Sequence, residues 1–407
     1  MTRDRRIVIA TETFEPEIGG GETQARTLAD ALIERGYTVT IVTRRSRPNL
    51  PVVEQQGGLT IMRVPPVGPG RWKKWGLLVT SFPALLTAAR HAEAVMVSGF
   101  RILGAAAVLA TRLRRTPLFL KADNRGELSG DYFRAGLAKF HLTPRSLPVR
   151  IFLGLRNVVL RRAEGFVALS EEMAAEYGRS GVPAGRLHQI PNGVDVERFQ
   201  PASRPEKADV RRRLGFPSGK VVLFTGRLVS HKGLPELLRA WETLHREGMS
   251  ATLYLVGEGG ADMHACETEL REFVRERRLE ASVRFTGPVT NVVDYLHAAD
   301  AFVFPSRDDG LPLSLVEAMS CALPVVSTLV GGMRDFLVDG RNGYVVPMGD
   351  EEALVGALRR VIAGGPEVES VGRAGRDTVV ARFSHQSVTD QWVQLFDSTR
   401  SSTGVVQ

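Results

Sequence analysis

Two carboxylates stand eight positions apart in the segment 302–327, which reads FVFPSRDDGLPLSLVEAMSCALPVVS. Its apolar ends predict short buried parallel strands, and the stretch from Ser314 predicts the helix that joins them. Asp309 precedes this helix, and we predict Glu317 on its first turn. Both side chains could therefore accept hydrogen bonds from ligand hydroxyl groups at the carboxyl ends of the strands. Glu317 also has a simpler interpretation, because an acidic residue in a helix's first turn is favourable without any ligand.

Two cations follow another predicted strand, VVLFTG. The stretch GRLVSHKG places Arg227 and Lys232 on one loop, bracketed by Gly226 and Gly233. An arginine can bind two phosphate oxygens at once, and a lysine adds a point charge. The pair predicts a diphosphate site, and a solvated basic loop is the alternative.

Three consecutive glycines, Gly19, Gly20 and Gly21, lie between the first predicted strand and the first predicted helix. Their amides could approach an anion at the start of that helix without obstruction by side chains. A flexible turn is the alternative. We interpret the adjacent Glu22 as a favourable first-turn charge rather than as a catalytic group.

The elements that must position these residues alternate between strand and helix patterns along the chain. RIVIA, YTVTIVT, AVMVSG, PLFLKA and GFVALS form a first series of strands, and VVLFTG, ATLYLVG, SVRFTG, AFVFPS and PVVS form a second. Such alternation predicts an α/β fold with two Rossmann-like domains. A stripe of Val388, Trp392 and Phe396 predicts a last helix that docks on a neighbouring domain. The predicted divisions are a first domain at 1–195, a linker at 196–216, a second domain at 217–384 and a terminal helix at 385–407.

Composition limits the partners of this chain. It has 407 residues and a formal net charge of +8, which favours phosphate-bearing substrates or anionic membrane surfaces. No motif supports binding of nucleic acid. The two cysteines are far apart in sequence, which fits a reduced interior, and the scattered histidines predict no metal site. The first residues lack a signal-peptide pattern and no apolar run could span a membrane, so we expect a cytoplasmic protein, peripheral on the inner face of the membrane if it meets one.

As a set, the motifs resemble those of the retaining glycosyltransferases of family GT4, which have the GT-B fold. The resemblance covers nearly the whole chain. It implies two Rossmann-like domains that face each other across a cleft, with a C-terminal helix that crosses back to the first domain. It rests on the glycine loop, PNGVD at 191–195, GRLVSHKG at 226–233, VGEG at 256–259, FTGPV at 285–289, the PS, DG and LVEAM elements of 305–319, and the glycine-containing pairs at 331–332 and 342–343.

The resemblance also implies a reaction. The first domain would bind a hydroxyl acceptor, namely a glycan, a glycolipid or a small molecule, and the second a sugar nucleotide of the UDP or GDP type, with no cofactor. Retention suggests front-face attack in which a leaving phosphate oxygen takes the acceptor's proton, and a covalent carboxylate intermediate stays open.

Specific roles follow for individual residues. Arg227 and Lys232 would hold the donor diphosphate, Glu317 the ribose and Asp309 the transferred sugar, and these four form the predicted catalytic set. Backbone near Val289 would hold the base. The full predicted donor-binding set is Gly19, Gly20, Gly21, Arg227, Lys232, Val289, Asp309, Gly310, Leu311 and Glu317.

The sequence departs from the family pattern in two places. The first carboxylate is usually a glutamate, whereas Asp309 is one methylene shorter, and the preceding Asp308 could substitute for it. Many members also carry a histidine just after a strand of the first domain, where this chain has LKADNRGE at 120–127. The candidates for the acceptor or sugar side there are Asp123, Asn124, Arg125 and Glu127, and the sequence does not choose among them.

Two other functions remain open at this point. One is a nucleotide-sugar 2-epimerase of the same fold, and the other is a non-catalytic module that binds a sugar nucleotide or a membrane. Two basic and apolar stretches, 71–82 and 134–162, could lie on anionic lipid headgroups. The alternative for both is an amphipathic core helix with a solvated basic face.

Overall fold

The structure is a computed structural model that describes residues 5–17, 19–68, 75–138, 141–260 and 264–403. It divides into two compact units. The first unit comprises Met1–Gly193 together with His385–Gln407, and the second comprises Val194–Ser384.

Fourteen strands and fourteen α-helices lie within the described residues. The strands are β1 (Arg5–Thr11), β2 (Tyr37–Arg44), β3 (Val53–Gln56), β4 (Leu59–Val64), β5 (Ala94–Ser98), β6 (Leu118–Lys121), β7 (Gly165–Ala168), β8 (Leu187–Gln189), β9 (Lys220–Thr225), β10 (Ala251–Val256), β11 (Val283–Gly287), β12 (Ala301–Phe304), β13 (Val325–Ser327) and β14 (Tyr344–Val345). The helices are α1 (Gly20–Glu34), α2 (Leu77–Ala88), α3 (Phe100–Arg114), α4 (Arg134–Ala138), α5 (Leu147–Leu160), α6 (Glu171–Arg179), α7 (Arg204–Arg213), α8 (Leu234–Arg246), α9 (Glu267–Glu276), α10 (Val292–Ala298), α11 (Leu313–Ser320), α12 (Glu351–Ala363), α13 (Pro366–Phe383) and α14 (His385–Thr403).

The first unit is built on an eight-stranded sheet of order β3-β4-β2-β1-β5-β6-β7-β8. All neighbours are parallel except β3, which runs antiparallel to β4. β1 lies between β2 and β5, so the chain winds outward in both directions from this point. Loops that follow β1 and β5 therefore start at the switch point of the sheet, where open α/β sheets bind ligands.

Helix α1 shows why this sequence forms a covered parallel sheet. Its buried residues Ala25, Leu28, Ala29 and Leu32 recur at helical spacing and form the apolar face of the helix. Gly36, with a φ of 82°, follows the end of the helix, since a left-handed residue there costs glycine little.

The second unit contains a six-stranded sheet of order β11-β10-β9-β12-β13-β14, and every neighbouring pair is parallel. Its switch point lies between β9 and β12. The strands predicted at both ends of the opening segment are β12 and β13, which are hydrogen-bonded neighbours with Phe302 opposite Val325.

Much of the predicted linker at 196–216 is a helix of the second unit. α7 begins with a capping box between Ser203 and Glu206. Lys207 and Arg211 then both bind the carboxylate of Asp300, at 2.8 Å and 2.5 Å. This charge cluster holds α7 against the second unit, and the two units divide after Gly193.

The C-terminal helix α14 belongs to the first unit, which confirms its predicted return. Trp392 and Phe396 are both buried, and the Phe396 ring lies 5.8 Å from that of Phe119 on β6. The α/β class with two parallel-sheet domains is likewise confirmed. Both cysteines are free and buried. Among the described helices, none is both long and apolar enough to cross a bilayer.

Candidate functional site

Two predicted ligand-binding residues are in direct contact at the switch point of the second sheet. Lys232, on the loop that follows β9, forms an ion pair with Asp309, on the loop that follows β12. Both side chains are mostly buried, and the Lys232 ammonium also lies 5.1 Å from the centre of the Phe304 ring. The structure thus joins the loop predicted to bind phosphate to the carboxylate predicted to bind a sugar.

Glycines allow the loops around Asp309 to approach one another closely. Gly233 has a φ of 70°, and a Cβ atom there would clash with the carbonyl oxygen of Pro305. Gly331 has a φ of 51°, and a Cβ atom there would clash with the carbonyl oxygens of Asp309 and Gly310. The amide of the next residue, Gly332, donates to the Gly310 carbonyl at 2.6 Å. Glycine at 233 and 331 thus lets these two segments pack against the backbone on either side of Asp309, and this packing fixes the position of Asp309.

Glu317 lies on the second turn of α11, so its predicted place on the first turn is wrong. The helix begins at Leu313 directly after Pro312, which makes Glu317 its fifth residue. The favourable effect of the helix dipole is concentrated in the first turn, and it no longer explains this carboxylate. The simpler interpretation of Glu317 is thereby weakened.

The surroundings of Glu317 make its carboxylate costly to ionise. Burial raises the pKa of Glu317 to about 7, and only a weaker attraction to Arg198 opposes this shift. Within the described part of the chain, no group donates a hydrogen bond to the Glu317 side chain. A carboxylate in this state can accept hydrogen bonds from ligand hydroxyls.

His231 stands beside the two cations of the loop, and sequence reasoning gave it no role. Burial lowers its pKa, and the charges of Lys232 and Arg227 lower it further, so the imidazole is neutral at physiological pH. Its carbonyl accepts a hydrogen bond from the Arg307 amide at 2.8 Å, which ties this loop to the one after β12. In the sequence, the position of His231 between Arg227 and Lys232, the two residues predicted to bind phosphate, was the feature that could have identified it.

Two other residues of the predicted donor set lie on loops of the same unit. Val289 is half-buried just beyond the end of β11, and Leu311 is buried between Gly310 and the start of α11.

In the first unit, the glycine loop lies next to Asp123. Gly19 is the N-cap of α1, and a Cβ atom at Gly21 would lie 3.3 Å from Oδ2 of Asp123. Ser98, the last residue of β5, donates a hydrogen bond to Oδ1 of Asp123 at 2.5 Å. The glycines at the start of α1 therefore leave room for a protein carboxylate at the switch point of this sheet.

The other three candidates of the 120–127 segment differ from Asp123. Asn124 and Arg125 are exposed, and Arg125 pairs with Glu172. Glu127 is fully buried and accepts hydrogen bonds from the amides of Asp123 and Asn124, each at 3.2 Å. Burial, together with the negative charge of Asp123, raises the pKa of Glu127 to about 8. Of these four candidates, Asp123 is the one with a partly exposed carboxylate, and Glu127 supports its loop from behind.

A buried ion pair beside this segment was missed by sequence reasoning. Glu12, directly after β1, accepts a hydrogen bond from Arg101 of α3 at 2.8 Å, and the guanidinium stacks 4.4 Å from the Tyr132 ring. In the sequence, the position of Glu12 directly after a buried strand was the only feature that could have indicated a role for it. Among the described residues, no group of three or more His, Cys, Asp or Glu side chains could hold a metal ion.

Two known families match the two halves of this chain. The family described as glycosyl transferases group 1 matches residues 219–364, and the glycosyl transferase 4-like domain matches residues 19–193. A D-inositol 3-phosphate glycosyltransferase from Kineococcus radiotolerans is 30% identical over 85% of this chain and 83% of its own length. These matches give no support to the epimerase or the non-catalytic module.

Solved structures of similar architecture are glycosyltransferases of the GT-B fold. Sucrose-phosphate synthase from Thermosynechococcus elongatus superposes with a TM-score of 0.77 at 24% identity, over 98% of this chain and 100% of that one. The Anabaena protein HepE, in a crystal structure with UDP-glucose, superposes with a TM-score of 0.74 at 19% identity, over 97% and 99% of the two chains. The chain therefore belongs to the group 1 glycosyltransferase family and is a glycosyltransferase with the GT-B fold.

Proposed function

We propose that this enzyme is a retaining glycosyltransferase of family GT4 that transfers a sugar from a nucleotide-diphosphate donor to a hydroxyl acceptor. The observation that carries the proposal is Glu317. Its half-buried carboxylate has no hydrogen-bond donor in the described part of the chain, and its helix follows the loop that holds Asp309. Partial removal from water raises the pKa of this carboxyl and makes it costly to ionise, and a ligand with vicinal hydroxyl groups would compensate that cost.

The donor is a UDP or GDP sugar in this proposal. Support for this class comes from the crystal structure of HepE with UDP-glucose, a protein of the same fold. Arg227 and Lys232 would bind the diphosphate, Glu317 the ribose, and Asp309 with Gly310 and Leu311 the transferred sugar. Backbone near Val289 would contact the base, since it follows the end of a parallel strand.

The chemistry follows from the charges that develop as the anomeric bond breaks. Negative charge accumulates on the departing diphosphate, and Arg227 and Lys232 would stabilise it. A phosphate oxygen of the leaving group would take the acceptor's proton as the hydroxyl attacks from the same face. Lys232 is paired with Asp309, so a phosphate that approaches its ammonium group would compete with that carboxylate.

On the acceptor side we propose Asp123 as the group that contacts a sugar or acceptor hydroxyl. It is held by Ser98 and lies 3.8 Å from the buried ammonium of Lys121. We also propose that the enzyme associates peripherally with anionic membranes, because its net charge is +8 and two stretches of the first unit are both basic and apolar.

A donor panel tests the proposed function. The full-length protein is mixed with UDP and GDP sugars, each with and without candidate glycan, glycolipid and small-molecule acceptors. We expect nucleotide release that depends on acceptor, and a product whose anomeric configuration matches that of the donor. Inversion of configuration would contradict retention, and donor isomerisation alone or binding without turnover would contradict transfer.

A further inference from the structure

Helix α5 has two apolar faces, and only one of them is packed. Val149, Leu153 and Leu160 are buried in the first unit. Five large apolar residues point away from that face and are between 50% and 68% exposed: Leu147, Ile151, Phe152, Leu155 and Val158. The predicted alternative for this stretch was a core helix with a solvated basic face, whereas the exposed face is apolar.

Positive charge surrounds this exposed face. Arg145, Arg150 and Arg162 are exposed, and none of the three side chains has an ion-pair partner among the residues that the structure describes. The sequence contains no aspartate or glutamate between Arg134 and Ala163. The apolar residues of α5 are therefore bordered by unpaired cations.

The second basic stretch reaches the same part of the first unit. The Trp75 ring stacks on the Phe133 ring at 6.4 Å, and the Arg156 guanidinium of α5 lies 5.7 Å from Phe133. Trp75, Leu78 and Val79 are themselves exposed. Arg71, Trp72, Lys73 and Lys74 of this stretch lie outside the described residues. Two segments that are about 70 positions apart in sequence are thus joined through Phe133.

We infer that the exposed face of α5, formed by Leu147, Ile151, Phe152, Leu155 and Val158, docks on the surface of an anionic lipid bilayer. The inference rests on the membrane association proposed above and names the surface responsible for it. An amphipathic helix that lies in the interface inserts apolar side chains between headgroups while flanking arginines bind lipid phosphates.

A second copy of this chain is a poorer occupant of the same face. A two-fold dimer places the same surface of each subunit against the other. Arg145, Arg150 and Arg162 of the two copies would then approach one another with no acidic residue of 134–163 to neutralise them. Lipid phosphates supply the missing negative charge.

Vesicle flotation tests this inference with the full-length protein. Vesicles contain phosphatidylcholine alone or phosphatidylcholine mixed with phosphatidylglycerol, at low and high salt. We expect the wild type to float with the anionic vesicles, less strongly at high salt. The double substitution Ile151→Ser and Leu155→Ser should weaken binding at least about tenfold, because two aliphatic side chains no longer insert. Arg145→Gln with Arg150→Gln should weaken it mainly at low salt.

The matched control is Val52→Ser with Val53→Ser, which removes two apolar side chains of similar exposure from β3 and its margin. It should bind vesicles as the wild type does. The inference would be overturned if the Ile151 and Leu155 double variant bound vesicles as well as the wild type does, or if the wild type did not bind at all. It would also be overturned if the wild type were a dimer that this variant dissociates. Calorimetric binding of UDP and GDP by the same variants without vesicles tests the donor proposal separately, and we expect it to be unchanged.

Discussion

Lys232 and Asp309 form an ion pair that connects the loops after β9 and β12 at the switch point of the second sheet. The cation proposed to bind the diphosphate is therefore neutralised by the carboxylate proposed to bind the sugar. A donor phosphate near Lys232 would compete with Asp309 for the ammonium group. The pair thus connects the residue proposed for the phosphate to the residue proposed for the sugar.

The first prediction concerns Asp309→Asn. Removing the carboxylate charge should free Lys232 for phosphate, so the affinity for UDP or GDP should rise roughly three- to tenfold, whereas sugar transfer should fall at least about tenfold. Calorimetry with the nucleotide and a transfer assay measure the two effects. Asp308→Asn tests the exposed neighbour that the sequence offered as a substitute for Asp309, and we expect it to leave both quantities unchanged. A parallel loss of nucleotide affinity and transfer would contradict this account of the pair.

The second prediction is that Lys232→Ala and Glu317→Ala each lower transfer by at least about tenfold. The loss of one charge-assisted contact is worth roughly 1.5 to 3 kcal/mol. Lys220→Ala, which removes a lysine from the opposite end of β9, should leave transfer unchanged. Near-wild-type rates in both site variants, with folding intact by circular dichroism, would remove these residues from the site.

The third prediction concerns pH. Because the pKa of Glu317 is about 7, its carboxylate becomes protonated as the pH falls through 7 and loses an acceptor for donor hydroxyls. We expect kcat/KM for the donor to fall below pH 7 in the wild type. In Glu317→Gln the fall in kcat/KM below pH 7 should be absent. If the fall persisted in this variant, it would have to come from the titration of another group.

The raised pKa of Glu317 also affects the stability of the fold, which should fall as the pH rises, whereas activity should rise. A carboxyl whose folded pKa exceeds its unfolded value stabilises the fold only while it is protonated, so this stability is present below about pH 4.5 and is lost as the pH rises to about 7. Glu317→Gln should therefore be more stable than the wild type at pH 8, by on the order of 1 to 3 kcal/mol. Thermal and denaturant unfolding at pH 5.5 and pH 8 would show whether the difference grows with pH.

The fourth prediction separates Asp123 from Glu127. The pKa of Glu127 is about 8, so its side chain is mostly neutral at pH 7 and Glu127→Gln should retain folding and most of the transfer rate. Asp123→Asn should fold but lose transfer at least about tenfold, because a hydroxyl contact loses its charged acceptor. Donor binding should be nearly unchanged in both variants. A larger effect of Glu127→Gln on the transfer rate would reverse the assignment.

The fifth prediction concerns the C-terminal helix. Trp392 is 1% exposed and its ring lies 5.5 Å from Phe396, within the core of the first unit. Trp392→Ala should destabilise that unit by about 3 to 5 kcal/mol in denaturant unfolding, because it leaves a large cavity. Gln394→Ala, at an exposed position on the same helix, should change stability by less than about 0.5 kcal/mol.

Local pattern was sufficient for ten of the fourteen described strands and for the docking of the last helix, whereas β3, β4, β8 and β14 were not predicted. Apolar runs of four to six residues predicted β9 and β12, because a strand covered on both faces must be apolar throughout. The stripe of Val388, Trp392 and Phe396 predicted a packed face because a helix repeats every 3.6 residues.

The sequence by itself determined the two parallel sheets, the loops that carry Arg227, Lys232 and Asp309, the helix that carries Glu317, and the family resemblance. Only the tertiary structure decided the pairing of Lys232 with Asp309, the place of Glu317 on a second turn, and the separation of Asp123 from Glu127 by burial. It also decided that the exposed face of α5 is apolar. Contacts between residues 77 positions apart, and the burial that shifts a pKa, depend on which loops the sheet brings together. Sequence periodicity describes the environment of a residue along its own helix or strand and carries no record of those distant neighbours.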